Sequence, residues 1–164
     1  MPNMKKLRII SAIVTILIMI LIFGFSSQNR EESATVSRGL TQYIADIISY
    51  ILKLTENQKL DLISNIHGLI RKIAHFIIYT SLGISSTAFF ISYLYKKRKS
   101  ITLITSVGFC CFYAITDEIH QNFVAGRGPQ ISDVFLDTFG ACIGSIIFLI
   151  IYCIYVKKKG VSYD

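Results

Sequence analysis

Residues 101–121 read ITLITSVGFCCFYAITDEIHQ. From Ile101 to Ile115 the run carries no charge. A helix rises 1.5 Å per residue and needs about 20 mostly apolar residues to cross the hydrocarbon core of a bilayer. The crossing therefore extends to Gln121, and Asp117 and Glu118 fall in its last turns, below the headgroups. A charge at bilayer mid-depth costs roughly 2.5 to 3.5 kcal/mol even on the milder insertion scale, and such groups usually face a protein interior or a cavity. One stretch thus predicts a membrane helix and a polar site at its end.

Three more apolar runs flank it: Ile9 to Phe25, Ile73 to Tyr95 and Ser132 to Val156. The 164 residues suffice for a single domain, taken as 1–164. They are 52% hydrophobic and only 16% charged, which points to a membrane protein. The fold class expected is all-α: four transmembrane helices in a bundle, plus a helical insert over residues 30–70. The net charge of +7 alone suits a nucleic-acid partner, but its distribution makes that the weaker reading. Lys5, Lys6 and Arg8 precede the first run. Lys96, Lys97, Arg98 and Lys99 separate the second from the third, and Lys157, Lys158 and Lys159 follow the fourth. These are juxtamembrane clusters, and with four spans all three share one side, expected to be cytoplasmic. The expected location is a bacterial cell membrane, crossed several times, with both termini inside. The basic stretch before Ile9 also suits a signal peptide. Gly24-Phe25-Ser26-Ser27 offers no small-x-small cleavage site, so an uncleaved span is expected.

The insert is polar but periodic. Val36, Leu40, Ile44, Ile47, Ile48 and Ile51 recur at helical spacing with one apolar face. Thr55-Glu56-Asn57-Gln58 fits a capping box, so a second short helix is expected to start there, with Leu60, Ile63 and Ile66 on its apolar side. Two amphipathic helices, lying on the outer membrane surface or over the bundle, are predicted. His67, between Asn65 and Gly68, reads as a loop residue. Asn122 to Ile131 reads as a short loop.

With this topology the polar groups near the span ends, basic anchors aside, lie on the outer side. Arg71, His75 and Tyr79 are spaced i, i+4, i+8 on one helix face. Asp117, His120 and Gln121 share a face of the third span, and Asp133 and Asp137 share a face at the start of the fourth. One or two such groups would serve as polar glue between membrane helices, at about 0.6 kcal/mol each. Four acids, two histidines and two arginines exceed what packing requires. His75, Asp117, Glu118, His120, Asp133 and Asp137 are the candidate catalytic residues. An acid beside a histidine orients the ring and fits it for general acid-base work. The same groups are candidate ligands for a divalent metal, although no HExxH-type spacing appears. Arg127, between Gly126 and Gly128, is a candidate clamp for Asp117, Glu118 or a ligand phosphate. Gly140 and Gly144 form a GxxxG, which serves packing within the bundle or a homodimer face. Cys110, Cys111, Cys142 and Cys153 lie in apolar runs without CxxC spacing and read as small buried hydrophobes.

Several stretches together resemble the VanZ-like family of small bacterial membrane proteins. They are Phe25-Ser26-Ser27-Gln28; Arg71-Lys72-Ile73-Ala74-His75-Phe76 with Tyr79 and Leu82-Gly83; Asp117-Glu118-Ile119-His120-Gln121; Gly126-Arg127; and Asp133-Val134 with Asp137-Thr138-Phe139-Gly140-Ala141 and Gly144. The insert of residues 30–70 is poorly covered. The resemblance implies a cell-envelope role linked to resistance to the glycopeptide teicoplanin, and it supplies no reaction. Two readings stay open. One is a membrane enzyme acting at the outer leaflet on a lipid-linked or phosphorylated envelope precursor. Arg71 and Arg127 would then clamp an anion, and Ser27, Gln28, Tyr79 and Gln121 complete the candidate substrate-binding set. The other is a non-catalytic binder of an envelope lipid or of the glycopeptide target.

Overall fold

The computed structural model describes residues 3–28, 30–94, 98–124, 128 and 130–159, and side chains throughout these except at 30–34, 36–38, 40 and 67. The described residues form five α-helices and no strand. They are α1 (Met4–Ser26), α2 (Arg30–Leu52), α3 (Glu56–Leu94), α4 (Lys99–Gln121) and α5 (Ile131–Lys158). Four of them, α1, α3, α4 and α5, are long and apolar enough to cross a membrane. Their outward faces are covered by side chains suited to lipid, such as Ile13, Leu17, Ile20, Ile104, Phe112, Ile147 and Ile151.

The insert departs from expectation. The second amphipathic helix and the second span are not separate elements, because α3 runs unbroken through 39 residues. No proline lies between Glu56 and Leu94. Gly68 costs a helix about 1 kcal/mol relative to alanine, which is too little to end it. His67 accordingly lies inside α3, not in a loop. The start of α3 is as expected: the Thr55 N–H donates to Gln58 Oε1 at 2.9 Å, and the Gln58 N–H returns to Thr55 Oγ1 at 3.4 Å. Upstream, α2 ends with Lys53 at φ 51°, and the Leu54 N–H reaches back to Ser49 O at 3.2 Å. That left-handed turn folds α2 back along the first half of α3. Ala45, Thr41 and Ile66 are buried, and Lys59 pairs with Asp46 at 2.9 Å. Tyr43, Ile47, Tyr50 and Ile51 of α2 stay exposed.

Within the bundle α3 is the central element, packed against α1, α4, α5 and α2, and most extensively against α5. Small residues make the α3–α5 approach close. A Cβ on Gly83 would run into the Ala141 backbone, one on Gly144 into the Thr80 carbonyl, and one on Gly140 would lie 2.7 Å from Phe76 O. The GxxxG is therefore occupied by α3 of the same chain. Ile22, Tyr79, Leu82, Cys110, Ala114 and Ala141 form the core beside this seam.

The two ends of the bundle differ in charge. Arg8 donates to Ser92 O at 3.1 Å and lies 3.6 Å over the Tyr93 ring, so the start of α1 meets the end of α3. Leu7, Ile91, Tyr152 and Val156 cluster there, which brings the end of α5 to the same place. Arg98 and Lys99 begin α4 at that end too. The opposite end holds the acids.

Candidate functional site

The acid-rich end is built from the last turn of α1, the middle of α3, the end of α4 and the start of α5. Asp117, Asp137 and Tyr79 are 5%, 3% and 0% exposed. Each comes from a different helix, α4, α5 and α3. His75 joins them one turn before Tyr79, its Nδ1 3.6 Å from Asp137 Oδ2. That distance is long for a hydrogen bond but close for an ionic contact. The His75 and Tyr79 rings are stacked at 6.4 Å between centroids. Side-chain ligand atoms of His75, Asp117 and Asp137 all lie within 4.8 Å of one another.

A ring of partners holds these groups in place. The Gln121 amide donates to Asp117 Oδ2 at 3.1 Å and to Ser26 Oγ at 3.4 Å. Lys72 donates to Asp133 Oδ1 at 2.8 Å and to Gln130 Oε1 at 3.3 Å. Arg71, Lys72, His75, Gln121, Asp133, Leu136 and Asp137 line one small cavity of about 10 Å³. Three oxygens beside it have no hydrogen-bond partner among the described residues: Asp117 Oδ1, Asp137 Oδ1 and the Tyr79 hydroxyl.

Other candidates sit apart from this centre. His120 turns towards α1, with its Nε2 3.0 Å from Ser27 Oγ and its ring stacked on Phe23 at 4.4 Å. Glu118 accepts a hydrogen bond from the Gln130 N–H and so ties the entrance of α5 to α4. Gln28 follows the end of α1, outside the cavity lining. Arg127 lies outside the described residues.

Lys72 was not singled out from the sequence for the site. A second feature also escaped notice. Ser86, Thr87, Ser106 and Ser145 form a buried hydroxyl layer deeper in the bundle. Ser106 Oγ lies 2.8 Å from Ser86, 2.7 Å from Thr87 and 3.4 Å from Ser145. Ser86 also contacts Cys110 Sγ at 3.3 Å. The signal was there in Ser85-Ser86-Thr87 within an apolar run.

The VanZ/LLP1 family model matches residues 11–152. The chain belongs to the VanZ/LLP1 family. It is thus a VanZ-like multi-pass membrane protein. No curated protein and no solved structure matches it. The matched stretch takes in α3 and α4 whole, most of α1 and α5, and each VanZ-type motif quoted above, from Phe25-Ser26-Ser27-Gln28 to Gly144.

Proposed function

We propose that the polar end of this VanZ-like bundle is a site for the phosphate-bearing headgroup of a lipid-linked envelope precursor. The observation that carries the reading is the shared cavity. Two cations, Arg71 and Lys72, stand at its rim beside His75, Asp133 and Asp137. A guanidinium holds phosphate through two parallel hydrogen bonds, and a lysine adds a mobile point charge. His75, with its Nδ1 3.6 Å from Asp137 Oδ2, is positioned to exchange a proton with a bound headgroup. Arg127 keeps its assignment as a second anion clamp within this proposal. A separate groove of about 510 Å³ between α4 and α5, lined by Ile115, Ile119, Val134 and Phe135, suits a hydrocarbon chain. The role follows: the protein serves the outer leaflet of the cell envelope, with the teicoplanin-resistance link that the resemblance implies. The basic end, which carries Arg8, Lys99 and Lys157, then faces the cytoplasm with both termini.

Binding of farnesyl monophosphate to the detergent-purified chain tests the headgroup reading. Arg71→Ala combined with Lys72→Ala should weaken binding by at least about tenfold, as the loss of charge-assisted hydrogen bonds worth roughly 1.5 kcal/mol or more predicts. Equal binding by the native chain and the double variant would sink the proposal. The topology is tested by thiol labelling of intact cells carrying Ser27→Cys or Lys159→Cys. Only the first should react with a membrane-impermeant reagent, and the reverse pattern would invert the orientation.

A further inference from the structure

Buried oxygens rarely stay without partners, because an idle donor or acceptor keeps its full desolvation penalty of about 1 to 3 kcal/mol. Here three such oxygens occupy one place. Asp117 Oδ1, Asp137 Oδ1 and the Tyr79 hydroxyl are buried and unpartnered among the described residues. Three helices converge to put these oxygens there, so they are not a by-product of one helical repeat.

The charge balance is also unfinished. Asp133 has Lys72 at 2.8 Å. Glu118 is occupied by the Gln130 N–H. Asp117 and Asp137 have between them a neutral amide from Gln121 and one imidazole from His75. Arg71 and Lys72 line the same cavity but neither is ion-paired with Asp117 or Asp137, and buried carboxylates without a paired cation are strongly disfavoured. A single divalent ion would neutralise both.

We propose that His75, Asp117 and Asp137 hold one divalent transition-metal cation of the zinc or manganese kind. This rests on reading the same cluster as a ligand site, and it adds the ion that would bridge the protein to a phosphate oxygen. One imidazole nitrogen and two carboxylate oxygens form a borderline-hard donor set, which suits those ions better than thiolate-loving ones. The donor atoms lie within 4.8 Å of one another. Bonds of about 2.1 Å in a tetrahedron put ligand atoms about 3.4 Å apart, so small side-chain rotations close the set. Gln121 fixes Asp117 through Oδ2 and leaves Oδ1 for the ion, which is the way outer partners orient ligand carboxylates. Tyr79 supplies a further hydroxyl next to the acids. The cavity beside them encloses about 10 Å³, room for a single ion or water and too small for a headgroup. The headgroup would sit above it, at Arg71 and Lys72.

The test uses the full chain purified in detergent, stripped with EDTA, reloaded with zinc or manganese chloride, desalted and assayed by mass spectrometry for bound metal. The native chain should retain about one equivalent of zinc or manganese, as a single three-residue ligand set would hold. Asp137→Asn, Asp117→Asn and His75→Ala should each reduce affinity by more than the roughly tenfold that loss of an outer partner costs. Tyr79→Phe should show a smaller loss, and His120→Gln none. Each variant is checked for a native elution profile, and three independent ligand positions guard against one that does not fold. A native chain that retains neither ion overturns the inference, as do ligand variants that bind metal like the native chain. Farnesyl monophosphate binding is measured on the stripped and on the reloaded chain in parallel. Phosphate binding without metal binding overturns the cation and spares the headgroup site. Metal binding without phosphate binding supports the cation and overturns the headgroup site.

Discussion

Two polar regions lie within this bundle, and they are finished to different degrees. In the hydroxyl layer the buried oxygens answer one another or a helix carbonyl. Thr87 donates to Gly83 O at 2.7 Å, Ser145 to Gly83 O at 3.3 Å and Ser86 to Gly83 O at 3.2 Å, while Ser106 joins all three. At the acid-rich end Asp117, Asp137 and Tyr79 each keep an oxygen without a partner among the described residues. Polar atoms that complete themselves act as glue between helices. Polar atoms that stay incomplete in a buried place point to something that completes them. Burial alone does not separate the two, since Ser106 and Asp137 are both buried. Valence does.

Three substitutions test that distinction, ordered by their expected effect on stability. Gly144→Ile should act most strongly, because its side chain would enter the Thr80 backbone where no flexible neighbour can yield. A loss of about 3 kcal/mol is expected from overpacking at such a seam, read as a lowered unfolding midpoint in detergent. An unchanged midpoint would mean that α3 and α5 do not meet closely. Ser106→Ala removes the hub of the hydroxyl layer. Three interhelical hydrogen bonds at about 0.6 kcal/mol each give an expected loss of roughly 1 to 2 kcal/mol, with farnesyl monophosphate binding unchanged. If binding fell instead, the layer would belong to the site. Asp137→Asn should be the mildest, within about 1 kcal/mol of the native chain, because the acid it replaces is incompletely partnered. A structural His75–Asp137 ion pair predicts the opposite, a loss of about 3 to 5 kcal/mol, as breaking a buried pair strands the other charge. That single measurement decides which of the two regions Asp137 resembles.

The spans were legible from residues 101–121 outward, because a run of uncharged residues has few other places to go than a bilayer or a core. Four helices long and apolar enough to cross a membrane contain the described residues of the four apolar runs. The join inside α3 was not legible. Amphipathic periodicity up to Ile66 and continuous apolarity after Ile73 look like two elements when only the partner face changes. The helical repeat passes through Gly68 without interruption. Among the polar residues, spacing placed His75 with Tyr79 and Asp133 with Asp137 on shared faces. It could not say that His120 would rotate towards Ser27 and Phe23, because that depends on how α1 and α4 cross. The hydroxyl layer was obscured for a related reason. Serine and threonine in a span satisfy themselves on their own helix, and only the crossing of three helices shows that they also meet.

The unbroken run of α3 has a mechanical consequence. At 1.5 Å per residue its 39 residues make a rod of roughly 58 Å, about twice the hydrocarbon thickness of a bilayer. The rod has no hinge between the α2–α3 hairpin and the turn that carries His75. A load on α2 therefore becomes torque about the Gly83–Gly144 fulcrum. A tilt of about 5° swings the hairpin tip, roughly 40 Å from that fulcrum, by roughly 3.5 Å. The same tilt moves His75 relative to Asp137 by a much smaller step. Whatever grips the α2–α3 hairpin has its hand on a lever whose short arm ends among the acids.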